Sequence, residues 1–530
     1  MKAQKWIGLT LVMVVLVSVV TACGAKESPI TVPEGAQAGY LIMEPYIYKI
    51  KTGMFSSVEY EAERGTLVVP ENRSDPKSRL IALPVMRIPA TGDNPTEPIF
   101  WLAGGPGSSN MEFSRLNGLL DNHDIVMVGY RGVDGSSVLD SPEMKKAITG
   151  VGGDLLSDQS IIKLGDAMTR TAVRLEDEGV DLDGYTIPET INDMEAARIG
   201  LGYEHINLLS ASYGTRVAII YAWMHPDSLH RSAMISVNPP GHMVWEPEVV
   251  DEQIEYYADL GRQDPKLSAR TSDLAETVRS VTHNMPRRWL FLPIDPGKVK
   301  FMTHFMLFQR GTAASVFDVL IAAEGGDPSG LALMTLAYDF MIPSSLTWGL
   351  WTAIGATDYP KERDYITEMD PPGSILGAPI SLLVGGMLQR SAWPEPPFPS
   401  EFRQVQNSEV ETLLVSGSID FSTPAQFATE ELLPYLANGK QVILSEFGHT
   451  GDVWELQPEA TVLLLTSFYD TGVADDSLYT YQPMDFDVGL GFPEMAKIAL
   501  AIVVLVIAGL GVLVWFIVRR VRRRRARQAA

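Results

Sequence analysis

The chain has 530 residues, of which 46% are hydrophobic, so it is long and apolar enough to bury one large core or two smaller ones. Its formal net charge of −23 argues against nucleic acid as a ligand. The single cysteine, Cys23, excludes a disulfide within the chain.

The first 23 residues have the pattern of an export signal. Lys2 and Lys5 precede an apolar run that ends in the small-residue sequence "VTAC" at 20–23. Because "VTAC" resembles the bacterial lipobox, we predict a signal peptide over 1–23 with Cys23 as a candidate for acylation. An uncleaved membrane anchor has the same hydropathy pattern and is the alternative. Either interpretation exports the rest of the chain, which begins with a predicted linker at 24–50.

Residues 51–241 alternate short apolar runs with helical stretches, a pattern typical of a mostly parallel sheet covered by helices. The predicted strands are 65–70, 80–88, 99–104, 124–130, 206–210 and 232–237. The polar, turn-rich sequence "ENRSDPKSR" separates the first two strands, so we expect them to form a hairpin.

The sequence "INLLSASYGTRVAIIYA" at 206–222 places two serines at a predicted strand-to-helix turn. A nucleophile on such a tight turn needs small residues two positions before and after it. Ser212 has Ser210 and Gly214 there, whereas Ser210 would have Leu208 before it. Ser212 is therefore the candidate nucleophile, and an ordinary strand-to-helix turn is the alternative.

Residues 242–408 change to helical periodicity broken by proline and glycine, which predicts an inserted helical cap. Strand patterns return in 409–474, and two polar residues directly follow them: Asp420 in "GSIDFS" and His449 in "FGHTGD". A serine hydroxyl needs a base to remove its proton and a third group to orient that base. We therefore predict Ser212, Asp420 and His449 as a catalytic triad.

Acyl transfer also needs backbone N–H groups that stabilise an oxyanion. The residue after the candidate nucleophile, Tyr213, supplies one, and the glycine-rich "FWLAGGPGSSN" at 100–110 is the candidate source of another. A plain tight turn is the alternative for that loop. The chain has no Walker or Rossmann glycine pattern, no HExxH sequence and no Cys/His cluster, so no metal or cofactor is predicted.

The C-terminal region predicts a membrane anchor. A linker at 475–497 precedes an uncharged apolar run at 498–518, and seven arginines follow in the tail at 519–530. By the positive-inside rule the tail is cytoplasmic and the preceding domain faces outward. A buried core helix is the alternative, but it does not explain the arginines. Without these seven arginines and the two N-terminal lysines, the charge falls from −23 to −32, so the exported part is strongly acidic.

Several of these segments together resemble the α/β-hydrolase serine aminopeptidases of the proline iminopeptidase and secreted tripeptidyl aminopeptidase type. The resembling pieces are "GTLVVPENRSDP", "GGPGSS", "YRG", residues 190–222, "GSIDFSTPAQFA" and "FGHTGD". The resemblance implies an α/β-hydrolase core with an N-terminal hairpin, helices on both faces of the sheet and a large helical cap. The predicted C-terminal transmembrane helix follows this core.

The resemblance also implies roles for individual residues. It assigns the triad to Ser212, Asp420 and His449 and the oxyanion N–H groups to Gly105 and Tyr213. It further implies that the cap selects the substrate and that carboxylates near the cap bind the free amine of a peptide. The candidates for these carboxylates are Glu246, Glu248 and Asp358.

We therefore predict a serine aminopeptidase at the plasma membrane, with its catalytic domain outside the cytoplasm. Its partners would be a peptide with a free N-terminus and the membrane, the latter bound through the C-terminal helix and a lipid on Cys23. Two alternatives stay open. The same triad could hydrolyse carboxylic esters or lipids, or the fold could be an inactive surface binding protein, against which the intact triad residue types argue.

Overall fold

The structure is a computed structural model that describes residues 30–53 and 56–528, with side chains as far as residue 524. The predicted signal peptide at 1–23, including Cys23, lies outside the described residues.

Nine strands form one sheet in the order β1-β2-β3-β5-β4-β6-β7-β10-β11. The strands are β1 (Leu41–Lys51), β2 (Ser57–Pro70), β3 (Leu80–Ile88), β4 (Ile99–Leu102), β5 (Ile125–Val128), β6 (Ile206–Ala211), β7 (Leu229–Ile235), β10 (Glu411–Gly417) and β11 (Gly439–Leu444). The first three strands and β5 pair antiparallel, and all other pairs are parallel. The mostly parallel sheet predicted from the sequence is confirmed.

The predicted hairpin is formed by β2 and β3, which pair from Glu63 opposite Arg87 to Pro70 opposite Leu80. Strand β1 was not predicted, because residues 24–50 were assigned to a linker. It pairs with β2 over its whole length and occupies one edge of the sheet. Its side chains are all exposed or only partly buried, so the apolar signal that marks an interior strand is weak here.

Helices cover the sheet and fill the insertion after β7. They are α1 (Pro142–Thr149), α2 (Asp158–Asp177), α3 (Ile187–Leu201), α4 (Tyr213–Met224), α5 (Pro247–Gln263), α6 (Pro265–Ser268), α7 (Leu274–His283), α8 (Pro296–Met306), α9 (Arg310–Glu324), α10 (Ser329–Met341), α11 (Trp348–Asp358), α12 (Tyr365–Glu368), α13 (Pro379–Gln389), α14 (Ala425–Phe427), α15 (Gly451–Glu455), α16 (Pro458–Thr471) and α17 (Phe492–Gln528). The mainly helical insertion between β7 and β10 contains α5 to α13 and a small hairpin of β8 (Arg288–Trp289) and β9 (Leu292–Pro293).

The helical insertion forms hydrogen bonds with the loop that follows β10. Tyr257 of α5 is buried, and its hydroxyl lies 3.1 Å from the carbonyl oxygen of Leu307 and 3.3 Å from that of Ile419. Trp245, just before α5, donates its indole N–H to the carbonyl of Ser422. These bonds fix the loop that carries Asp420 against the insertion.

The C-terminal helix α17 begins at Phe492, six residues before the predicted apolar run. Its segment Phe492–Arg524 is long and apolar enough to cross a membrane, and an 18-residue window within it has a mean hydropathy of 3.0. Its first turns pack on the helical insertion: Met495 and Ala496 are buried, and Lys497 forms an ion pair of 2.5 Å with Asp327. The apolar part that follows is exposed.

Candidate active site

Ser212 lies at the turn between β6 and α4 and has an unusual backbone conformation. Its φ of 52° and ψ of −123° are strained for a residue with a side chain. The surrounding structure holds it there: its N–H donates to the carbonyl of Ile235 at 2.9 Å, and its carbonyl accepts from the N–H of Thr215 at 2.8 Å. A residue kept in such a conformation by its neighbours is a frequent feature of active sites.

The small residues around Ser212 are required by the space available. A side-chain carbon at Gly214 would collide with the carbonyl oxygen of Leu102, and one at Gly104 would lie 2.8 Å from Cβ of Ser212. Ser210 is fully buried two positions earlier, where its hydroxyl donates to the carbonyl of Ala233 at 3.3 Å. The hydroxyl of Ser210 thus bonds to the neighbouring strand β7, which explains how a serine is accommodated at that position.

His449 and Asp420 are brought together by the loops that follow β11 and β10. Nδ1 of His449 lies 3.0 and 2.9 Å from the two carboxylate oxygens of Asp420, which is fully buried. The same carboxylate accepts from the N–H groups of Ser422 and Thr423 and from the Thr423 hydroxyl, at 2.9 to 3.0 Å. With Nδ1 donating to Asp420, Nε2 is the ring nitrogen that can accept a proton.

The loop that carries His449 is held on both sides. The His449 N–H donates to the carbonyl of Phe308 in the helical insertion at 2.6 Å, and the Thr450 N–H donates to the hydroxyl of Ser236 at 2.9 Å. The Phe308 ring lies 5.5 Å from the imidazole ring of His449. The insertion therefore takes part in positioning His449.

Ser212 and His449 line one cavity of about 420 Å³, so their side chains open onto the same space. Five aromatic side chains supply much of its wall: Trp101, Phe113, Phe305, Phe308 and Trp454. Trp101 and Phe113 pack with their ring centroids 4.6 Å apart. Gly104 and Gly105 also line the cavity, and Gly105 has a φ of 71° that favours glycine. Tyr213 is the first residue of α4, directly after Ser212.

Asn110 anchors the glycine-rich loop and was not identified from the sequence. It is fully buried; its amide nitrogen donates to the carbonyls of Trp101 and Val128, at 3.0 and 2.8 Å. Its carbonyl oxygen accepts from the N–H of Ala103 at 2.7 Å. The only sequence signal for it is the polar residue that ends "GGPGSSN".

The three carboxylates predicted to bind an amine lie elsewhere. Glu246 accepts two hydrogen bonds from Arg363, at 2.5 and 2.6 Å. Asp358 is buried against Arg216, at 2.5 Å. Glu248 is exposed in the first turn of α5. None of the three is among the described residues that line the Ser212 cavity. No group of three or more potential metal ligands occurs within the part of the chain that the structure describes.

Comparison with known proteins identifies the fold of the chain. Residues 97–285 match the family model described as the alpha/beta hydrolase fold, and this segment contains Gly105, Ser212 and Tyr213. The chain has the α/β-hydrolase fold. It is 28% identical over 208 residues to tripeptidyl aminopeptidases of Streptomyces lividans and Streptomyces coelicolor. That alignment covers 36% of this chain and 38% of each relative, so it spans well under half of their length. The predicted resemblance to aminopeptidases of this fold is confirmed.

Solved structures of hydrolases are also similar. Proline iminopeptidase of Mycobacterium smegmatis is 13% identical, with a TM-score of 0.37 over 76% of this chain and 97% of that one. A serine hydrolase of Cycloclasticus zankles is 13% identical, with a TM-score of 0.36 over 82% of this chain and 100% of that one.

Proposed function

We propose that the chain is a serine aminopeptidase, tethered to the membrane with its catalytic domain outside the cytoplasm, that releases short N-terminal units from peptides. One observation carries the proposal: Ser212, on its strained turn, shares a cavity with His449, whose Nδ1 is bound by the buried carboxylate of Asp420. A serine hydroxyl that opens onto the same cavity as an imidazole bound by a buried carboxylate has the residue types of a serine hydrolase site.

The chemistry proceeds through an acyl-enzyme. Nε2 of His449 takes the proton of the Ser212 hydroxyl as its oxygen attacks the substrate carbonyl, and Asp420 stabilises the imidazolium that forms. The N–H groups of Gly105 and Tyr213 bind the oxyanion. His449 then gives its proton to the leaving amine. A water molecule, deprotonated by His449, hydrolyses the acyl-enzyme and regenerates Ser212.

The peptide substrate is supported by the tripeptidyl aminopeptidases that the chain resembles. The membrane location is supported by the apolar helix α17 and by the arginines that follow it. A lipid on Cys23 would add a second anchor at the other end of the exported domain.

A carboxylic ester or lipid hydrolase is the second candidate, because the five aromatic side chains of the cavity wall suit an apolar acyl group. Parallel assays of aminoacyl and dipeptidyl arylamides against short-chain aryl esters separate the two. Hydrolysis of esters alone, unaffected when the substrate amine is blocked, would replace the peptidase by the esterase.

The mechanism is tested by labelling the full-length protein with a fluorophosphonate probe. We expect labelling of the wild type and of Ser210→Ala, and none of Ser212→Ala. Ser210→Ala is the matched control, since it removes a hydroxyl two residues away. Absence of wild-type labelling, or labelling that depends on Ser210, would refute Ser212 as the nucleophile.

A further inference from the structure

The Ser212 cavity is lined by a carboxylate that has no partner among the residues that the structure describes. Glu112 lines the cavity and is exposed. Its carboxylate forms neither a hydrogen bond nor an ion pair with any residue that the structure describes. It differs in this respect from Glu246 and Asp358, each of which is bound by an arginine. A carboxylate that is bound to no cation and lines the same cavity as the candidate nucleophile can bind a cation of the substrate.

The backbone that carries Glu112 is held in place. The hydroxyl of Tyr48 in β1 accepts from the N–H of Phe113 at 2.9 Å and donates to the carbonyl of the same residue at 3.1 Å. The ring of Phe113 packs against Trp101 and, at 6.2 Å, against Trp454. Tyr48 of the edge strand β1 thus fixes the backbone of the residue that follows Glu112. The side chain of Glu112 is therefore attached to a backbone segment that is held in place.

The wall of the Ser212 cavity, which Glu112 lines, favours a cation that has apolar neighbours. The faces of aromatic rings attract cations, and the cavity wall contains five such rings. One cation also lines the cavity, Arg115, but its guanidinium lies 3.2 Å from the carboxylate of Glu455. The exported part of the chain carries a strong negative charge, which attracts cationic ligands over a longer range.

From these contacts we infer that Glu112 binds the N-terminal ammonium group of the peptide and so determines that the enzyme reads a free amine. This inference rests on the proposed function and names a residue for its substrate recognition. It places the amine site on the loop between β4 and β5, which belongs to the sheet domain, instead of on the helical insertion.

The test measures binding without turnover. Full-length Ser212→Ala protein in detergent micelles is titrated by calorimetry with Ala-Ala-Phe amide and with its N-acetyl derivative. We expect the free amine to bind about 10- to 100-fold more tightly, as for a hydrogen bond between charged groups. Adding Glu112→Gln should abolish this preference and leave binding of the acetylated peptide unchanged.

Glu248→Gln in the same background is the matched control, because Glu248 is an exposed carboxylate outside the cavity. We expect it to retain the full preference for the free amine. The inference is overturned if the preference survives Glu112→Gln, if Glu248→Gln abolishes it, or if Ser212→Ala protein shows none. The proposed function is tested separately by the labelling experiment. It would fail if the wild-type protein were not labelled by the fluorophosphonate at Ser212.

Discussion

Both carboxylate oxygens of Asp420 lie within 3.0 Å of Nδ1 of His449. The carboxylate is also fixed by two backbone N–H groups and one hydroxyl, so its orientation does not depend on the imidazole. In the proposed mechanism, Asp420 therefore selects one tautomer of His449 and holds the ring while Nε2 exchanges protons.

Replacing Asp420 by asparagine should lower kcat by about 10³- to 10⁴-fold, because an amide can no longer stabilise the imidazolium or enforce the tautomer. The rate with a free-amine arylamide and the rate of fluorophosphonate labelling both measure this. Asp227→Asn, at an exposed aspartate after α4, should leave both rates unchanged. An Asp420→Asn enzyme with wild-type kcat would remove Asp420 from the mechanism.

Asn110→Asp should weaken both the fold and the reaction. The new carboxylate cannot donate to the carbonyls of Trp101 and Val128, so two buried acceptors lose their donor and a charge is introduced into the interior. We expect the free energy of unfolding to fall by about 2–5 kcal/mol and labelling of Ser212 to slow. Thermal unfolding and labelling rate are compared with Asn117→Asp, an exposed position on the same loop. Unchanged stability would show that the anchor is dispensable.

Gly214→Ala should prevent the turn at Ser212 from closing, because the added carbon meets the carbonyl oxygen of Leu102. The expected result is loss of folded protein, or a decrease of about 3 kcal/mol in the free energy of unfolding. Gly311→Ala is the matched control: its added carbon meets nothing within 4 Å, and alanine favours the helix α9 in which it lies. Equal stability of the two variants would contradict the tight turn.

His304 should make the protein less stable in acid. It is fully buried among Trp245, Phe308 and Phe421, and neither ring nitrogen has a partner among the described residues. Burial lowers its pKa from the ordinary 6.5 to about 3. Between these values the unfolded chain binds a proton that the folded chain does not, so stability falls as pH falls through this window, by up to about 1.4 kcal/mol per pH unit.

His304→Leu should remove that dependence, while His283→Gln, at an exposed histidine, should retain it. Unfolding midpoints of the three proteins at pH 7 and pH 5 provide the comparison. A wild-type midpoint shift that persists in His304→Leu would assign the acid sensitivity to other groups.

The arginine tail should determine the orientation of α17. Replacing the seven tail arginines by asparagine should produce a mixture of orientations, because by the positive-inside rule their charge is what would hold the tail on the cytoplasmic side. The measurement is protease treatment of intact cells that express the protein with a C-terminal epitope. The protease removes the epitope only from molecules whose tail lies outside the cell. Lys497→Asn, which breaks only the ion pair with Asp327, should keep the tail protected. A uniformly protected tail in both variants would show that another signal sets the orientation.

The sequence predicted those parts of the site that depend on local patterns. The turn at Ser212 follows from small residues at fixed spacing, and Asp420 and His449 each follow a recognisable apolar strand. The partners of the predicted amine-binding carboxylates could not be predicted in this way, since Arg363 lies 117 residues from Glu246 and Arg216 lies 142 residues from Asp358. Strand β1 and Glu112 could not be predicted for a related reason: the pairing of β1 with β2 and the position of Glu112 in the cavity wall exist only in the folded chain.

The contact of helix α17 with the helical insertion has a mechanical consequence. Lys497 binds Asp327, and the hydroxyl of Ser329 donates to the carbonyl of Pro493, so the first turns of α17 are bound to the helical insertion. If a bilayer holds α17, as the proposed function requires, it also immobilises the helical insertion, whose Phe305 and Phe308 line the cavity. In that case the entrance widens for a substrate when the sheet domain moves away from the fixed helical insertion. This is the opposite of a lid that opens over a fixed sheet domain.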